Sequence, residues 1–173
     1  GARTATLLRH LWRTSPPLTA VGALMTFVAA ASLVGIFVDP RIITGVPAWL
    51  KPFKFAVSTA VYSLTLAWIF GWLSDWPRVR RVVGSTTGVV FVLEVAIIDL
   101  QAWRGTTSHF NVSTPLDAVL FGAMGTLIIV QTVASAFVAA ALWCERAFRD
   151  QAMGWAMRLG MTLTIIGAST GGL

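Results

Sequence analysis

Glu94 stands inside an apolar stretch, Val82 to Ala102, that otherwise reads as a membrane-spanning helix. A carboxyl at that depth is costly unless it has a partner or a task. The chemistry to expect of it is proton relay or ion binding; the plainer alternative is a satisfied carboxyl that stitches helices together. Along VVGSTTGVVFVLEVAIIDLQAWR, Glu94 and Gln101 fall almost on one line of a helix. Asp99 points about 140° away from Glu94 at 3.6 residues per turn, which excludes a carboxylate dyad within this helix. Asp99 stays a relay candidate through partners on other helices. Candidate partners for Glu94 are Lys54, Ser58, Tyr62 and Thr65 of the preceding stretch. Ser58 and Tyr62, closer to mid-membrane, are expected to complete a hydrogen-bond path, whereas Lys54 lies near the outer end.

A second concentration of polar chemistry runs from Gln101 through Arg104, Ser108 and His109 to Asn111. Arg104 with Lys51 and Lys54 offers cationic groups to a carboxylate, a phosphate headgroup or a quinone-like oxygen, and His109 is suited to proton exchange near neutral pH. The competing expectation is a loop that satisfies its own backbone, with Arg104 held by Asp99 or Asp117. Asn111-Val112-Ser113 matches a glycosylation acceptor but lies too close to the next apolar run to be a good one. The sequence assigns no cofactor or metal. His10 and His109 are expected on opposite sides of the bilayer, which argues against a bis-histidine haem within one chain. One cysteine and the lack of HExxH or CxxC spacing make zinc a weaker prospect still. No nucleotide-binding loop, serine elbow or dinucleotide fingerprint is present.

The elements that must position these groups are helices. Hydrophobic side chains make up 56% of the chain, charged ones 12%, and the mean hydropathy is +0.76, values that exclude an ordinary soluble domain. The continuously apolar run 18–38 argues against the alternation of a β-barrel strand. About five membrane-spanning helices are expected, near 18–38, 53–73, 82–103, 116–143 and 153–173, forming one all-α polytopic transmembrane bundle over 1–173. The first run is read as a retained span, since it is longer than a signal-peptide core and has no evident cleavage site. The final run ends in GASTGGL without a closing basic flank, as a truncated chain would.

Nine of the Lys and Arg residues, Arg3, Arg9, Arg13, Arg78, Arg80, Arg81, Arg146, Arg149 and Arg158, fall on one side of this topology, against Arg41, Lys51, Lys54 and Arg104 on the other. The imbalance predicts a cytoplasmic N-terminus in an inner membrane. The +6 net charge is spread over short loops beside spans, which suits lipid anchoring better than nucleic acid. Thr114-Pro115-Leu116-Asp117 reads as a helix start, and Asp39-Pro40 as a stop. Six of the tryptophans, among them Trp49 and Trp103, sit at predicted span ends as an interfacial girdle. Gly84 with Gly88, and Gly167 with Gly171, mark close helix packing within the bundle.

The segments Asp39-Pro40-Arg41, Ile43-Thr44-Gly45, Pro47 to Ala56, Gln101 to Gly105 and Ser108 to Asn111 resemble those of an uncharacterised family of multi-pass bacterial inner-membrane proteins. The likeness extends over much of 39–173. It implies a helical membrane bundle with further helices after Leu173, and it transfers no activity or catalytic residue. From the residues themselves, the functional expectation is transport or proton-coupled movement of a small solute, with Glu94 titrating and Arg104, Lys51 or Lys54 attracting an anion. The alternatives are a haem-, quinone- or lipid-binding redox subunit, and a structural subunit whose partners are other membrane proteins or further copies of itself.

Overall fold

A computed structural model describes residues 2–145, 148 and 150–170, and of residues 2–4 the backbone alone. The chain forms helices α1 (Ala2–Thr14), α2 (Pro16–Val38), α3 (Leu50–Ile69, continued by a 3-10 turn Phe70–Trp72), α4 (Pro77–Trp103), α5 (Pro115–Cys144) and α6 (Gln151–Thr170). A two-residue-strand hairpin, β1 (Ile42–Ile43) with β2 (Val46–Pro47), caps the α2–α3 connection. Thr44 and Gly45 both have positive φ, the backbone that a tight hairpin turn demands and that glycine adopts without penalty.

Four helices, α2, α3 with its 3-10 extension, α4 and α5, are long and apolar enough to cross a membrane. α6 occupies the place of the fifth expected span but falls short of the other four in apolarity, since Arg158 and several threonines and glycines interrupt it. Arg146, Arg149 and Gly171, used above for topology and packing, lie outside the described residues. α1 was not anticipated as a helix. It lays Leu11 into the core and leaves Leu7, Leu8 and Trp12 exposed.

The bundle has an apolar core around Leu18, Phe70 and Leu142, yet it also exposes large apolar side chains and buries small polar ones. Phe27, Phe37, Val61, Val89, Ile129 and Phe137 point outward, while Ser32, Thr59, Ser63, Thr87 and Ser135 are buried. With no hydrophobic drive between helices in lipid, small residues and internal hydrogen bonds hold such a bundle together. α2 and α3 pack closely because Gly22 admits Leu64 and Gly35 admits the Trp49 ring; a Cβ on either glycine would lie 2.6 or 2.7 Å from that side chain. Gly84 and Gly88 do the same for α4, facing Ser15 and Phe70, and Val21. Gly167 has nothing within 4 Å, so the second glycine motif makes no such contact among the described residues.

At the end bearing α1, Arg158 of α6 ties down the last turn of α5. It donates to the carbonyls of Leu142 (2.9 Å) and Glu145 (2.6 Å) and lies against the rings of Trp143, Phe148 and Trp155. Cations belong at a helix C-terminus, where unpaired carbonyls concentrate negative charge. Two tryptophans near expected span ends, Trp72 and Trp49, pack within the bundle: Trp72 stacks on Phe148, and Trp49 covers Gly35. Trp12, Trp103 and Trp143 remain exposed as a girdle requires.

Candidate functional site

The loop end of the bundle, formed by the hairpin and the α4–α5 connection, divides the expected polar site into separate units. The first is a clamp between α4 and α5. Thr114 Oγ1 caps α5 by accepting from the Asp117 amide (3.2 Å), and donates to Asp117 Oδ2 (2.7 Å). The other carboxylate oxygen accepts from Gln101 Nε2 (2.9 Å) and Arg104 Nη1 (2.6 Å). Gln101 and Asp117 are buried. Arg104 therefore belongs to Asp117 and not to Asp99. Gly105, at positive φ, ends α4: its amide reaches the Ala102 carbonyl and the Thr106 amide that of Gln101, so the helix turns out directly beneath the clamp.

The second unit joins α2 to the hairpin. Asp39 receives the guanidinium of Arg41 (2.6 Å) and the indole N–H of Trp49 (2.8 Å), while Arg41 Nη1 donates to the Trp103 carbonyl (2.8 Å). The hydrogen bonds from Arg41, with that from Trp49, hold the Asp39 carboxyl well below the usual carboxylate range. The sequence showed Asp39 only as a helix stop. Its pairing depends on the hairpin that turns Arg41 back.

The third unit is Lys51, His109 and Ser108. Lys51 Nζ lies 3.0 Å from His109 Nδ1, Ser108 Oγ lies 3.1 Å from the same nitrogen, and Phe55 packs against the imidazole. An ammonium has only donors, so Nδ1 accepts and the ring proton resides on Nε2. Burial, reinforced by the Lys51 charge, pushes the His109 pKa down, which keeps the ring neutral near pH 7. Lys51 is consequently a cation without a carboxylate partner among the described residues. It borders a pocket of about 80 Å³ between the hairpin and the α4–α5 connection. Asn111 is buried and fully engaged within its own loop, donating to Thr106 Oγ1 and the Thr107 carbonyl and accepting from the Ser113 amide, which removes it as a modification site. Lys54 is exposed on α3, one turn beyond Lys51, and makes no hydrogen bond or ion pair among the described residues.

Deeper in the bundle, Glu94 is 5% exposed, and its Oε1 has no hydrogen-bond partner among the described residues. It shares one face of α4 with buried Thr87, whose hydroxyl is also unpartnered, and with Gln101 of the clamp. The anticipated path from Glu94 through Tyr62 and Ser58 is not formed. Tyr62 is turned to α5, where its hydroxyl meets Ser135 Oγ (2.9 Å) and Gln131 Nε2 (3.5 Å), with its ring edge-on to Phe91. Ser58 and Thr65 are exposed along a cleft against α6. Asp99 is half-buried with one oxygen unpartnered. Gln131 and Ser135 carry a signal akin to that of Glu94, polar side chains inside an apolar run, and their spacing of four residues puts them on one face of α5.

His10 sits beside Gly71, past one end of α3, and His109 beside Lys51 at the other. The length of α3, about 30 Å at 1.5 Å per residue, separates them, so they cannot ligate one haem. No group of three metal-binding side chains occurs among the described residues. No protein-family model, curated protein or solved structure matches the chain, so the functional reading rests on its own geometry.

Proposed function

We propose that this membrane protein moves a small solute in a proton-coupled manner, with Glu94 as the group that gains and loses the proton. The observation that carries this reading is the unpartnered, buried Glu94 Oε1. A carboxyl kept only to join helices would be expected to meet donors, as Asp117 does. Thr87, Glu94 and Gln101 supply polar groups about 10 Å apart along one helix face, a spacing that transient water has to bridge. Lys51 is the cation best placed to attract an anionic solute, because Arg41 and Arg104 are neutralised by Asp39 and Asp117. Arg80, which donates to the Thr14 carbonyl, and Arg158 lie at the end opposite the hairpin, together with α1. That distribution supports an orientation with α1 on the cytoplasmic side.

The test uses proteoliposomes holding a pH-sensitive dye, with an imposed potassium diffusion potential and a panel of small inorganic and carboxylate anions supplied outside, alongside infrared titration of the Glu94 carboxyl. Proton entry that falls to the lipid background in Glu94→Gln, with the carboxyl band lost, is expected. Equal entry in both proteins overturns the reading, as does absence of entry from both together with a carboxyl band that never titrates.

A further inference from the structure

The face of α3 that was expected to serve Glu94 instead borders a cleft of about 650 Å³ against α6, within the size range of small-molecule sites. Val61 and Trp68 line one wall, and Met153, Met157 and Met161 the other. Methionine side chains adapt to irregular apolar shapes. A second pocket of about 180 Å³ shares Tyr62 and Thr164 with the cleft and continues to Gln131 and Ser135 of α5. Among the described residues, no charged side chain lines either space. A charged occupant would find no counter-ion there, so the lining selects a neutral one.

The hydroxyls leave one vacancy. Ser135 Oγ donates its single proton to the Gln131 backbone carbonyl (2.9 Å), so the Tyr62 hydroxyl must donate to Ser135 Oγ. Gln131 Nε2 points to the same two oxygens. Gln131 Oε1 remains: the residue is 8% exposed, lines the inner pocket and has no donor for this oxygen among the described residues. We infer that the cleft binds an uncharged lipid bearing a hydroxyl group, whose tail lies between α3 and α6 and whose hydroxyl donates to Gln131 Oε1. A ketone or ester head, which can only accept, leaves that oxygen unsatisfied.

The experiment measures saturable binding of radiolabelled 1,2-dioleoylglycerol and its acetylated analogue to the purified protein in detergent. Decylhydroquinone and its dimethyl ether serve as unlabelled competitors, so that an acylglycerol source is distinguished from a phenolic one. The hydroxylated probe is expected to bind about tenfold more tightly than the acetylated one, the worth of one hydrogen bond to a buried acceptor. Gln131→Leu should bring that ratio to about one. Gly160→Phe directs a ring into the cleft from a position where an added Cβ meets nothing within 4 Å, and should abolish binding while leaving the thermal transition in place. Equal affinity for the two probes in the wild type, an unchanged ratio in Gln131→Leu, undiminished binding in Gly160→Phe, or no saturable binding at all would overturn the inference.

Discussion

Asp117 and Glu94 are both buried carboxyls in apolar helices, yet one is surrounded by donors and the other meets none among the described residues. Asp117 accepts from Gln101, Arg104 and Thr114. Glu94, on the same face of α4 as Gln101, keeps an oxygen with no partner. The difference lies in where each sits along its helix. Asp117 is at the first turn of α5, where a cap residue and the end of α4 converge. Glu94 lies in a helix interior, where backbone amides are already bonded and only side chains from neighbouring helices could reach it. Satisfied groups of the first kind hold a bundle in one arrangement, whereas an unsatisfied group of the second kind is available to a proton, water or ligand.

The sharpest way to break this contrast is to remove the clamp. Asp117→Ala should give the largest loss of thermal stability among these variants, because Arg104 and Gln101 lose a shared acceptor and the α5 cap loses its acid. Gln101→Leu should cost less, about 2 kcal/mol, by depriving one carboxylate oxygen of a buried donor. Thermal unfolding in detergent reads both. A clamp variant as stable as the wild type would show that the two carboxyls do not differ as proposed.

Next in size come the titrations at the loop end. His109 has its folded-state pKa below its ordinary value, so on acidification the unfolded chain takes the proton first. Stability should fall as pH drops through about 6.5, then level once the native ring protonates too; above that range the group contributes nothing. His109→Gln should remove that decline, as melting temperatures across the range will record. Asp39 behaves as a depressed carboxylate: its contribution is present above about pH 4 and fades as pH falls through the native value. The melting temperatures of wild type and Asp39→Asn should therefore converge in acid. The smallest stability change is expected for Glu94→Gln, within about 1 kcal/mol, since no hydrogen bond is lost. A loss as large as that of Asp117→Ala would make Glu94 a structural carboxyl and sharpen the comparison in the opposite direction.

The four long apolar runs became helices close to their expected bounds, because about twenty apolar residues leave the backbone one way to satisfy itself in lipid. Thr114-Pro115-Leu116-Asp117 began a helix as read, since capping is a local affair. The common face of Glu94 and Gln101 also held, being a matter of helical period. Periodicity could not foresee which helix Tyr62 would address, nor that Arg41 would return to Asp39 through the hairpin, nor that His109 would lie against Lys51. Each depends on how helices rotate and how loops fold back across long stretches of chain.

An all-α chain suited to a membrane, with one conspicuous carboxyl in an apolar helix, follows from the order of residues alone, because hydropathy and helical period are properties of contiguous residues. Which polar groups are spent on one another, and which remain open, is set by the packing of the helices. Partnership between Asp117 and Arg104, or its absence among the described residues at Glu94 Oε1 and Gln131 Oε1, arises from the placement of separate helices, and hydrogen bonds form only within about 3 Å.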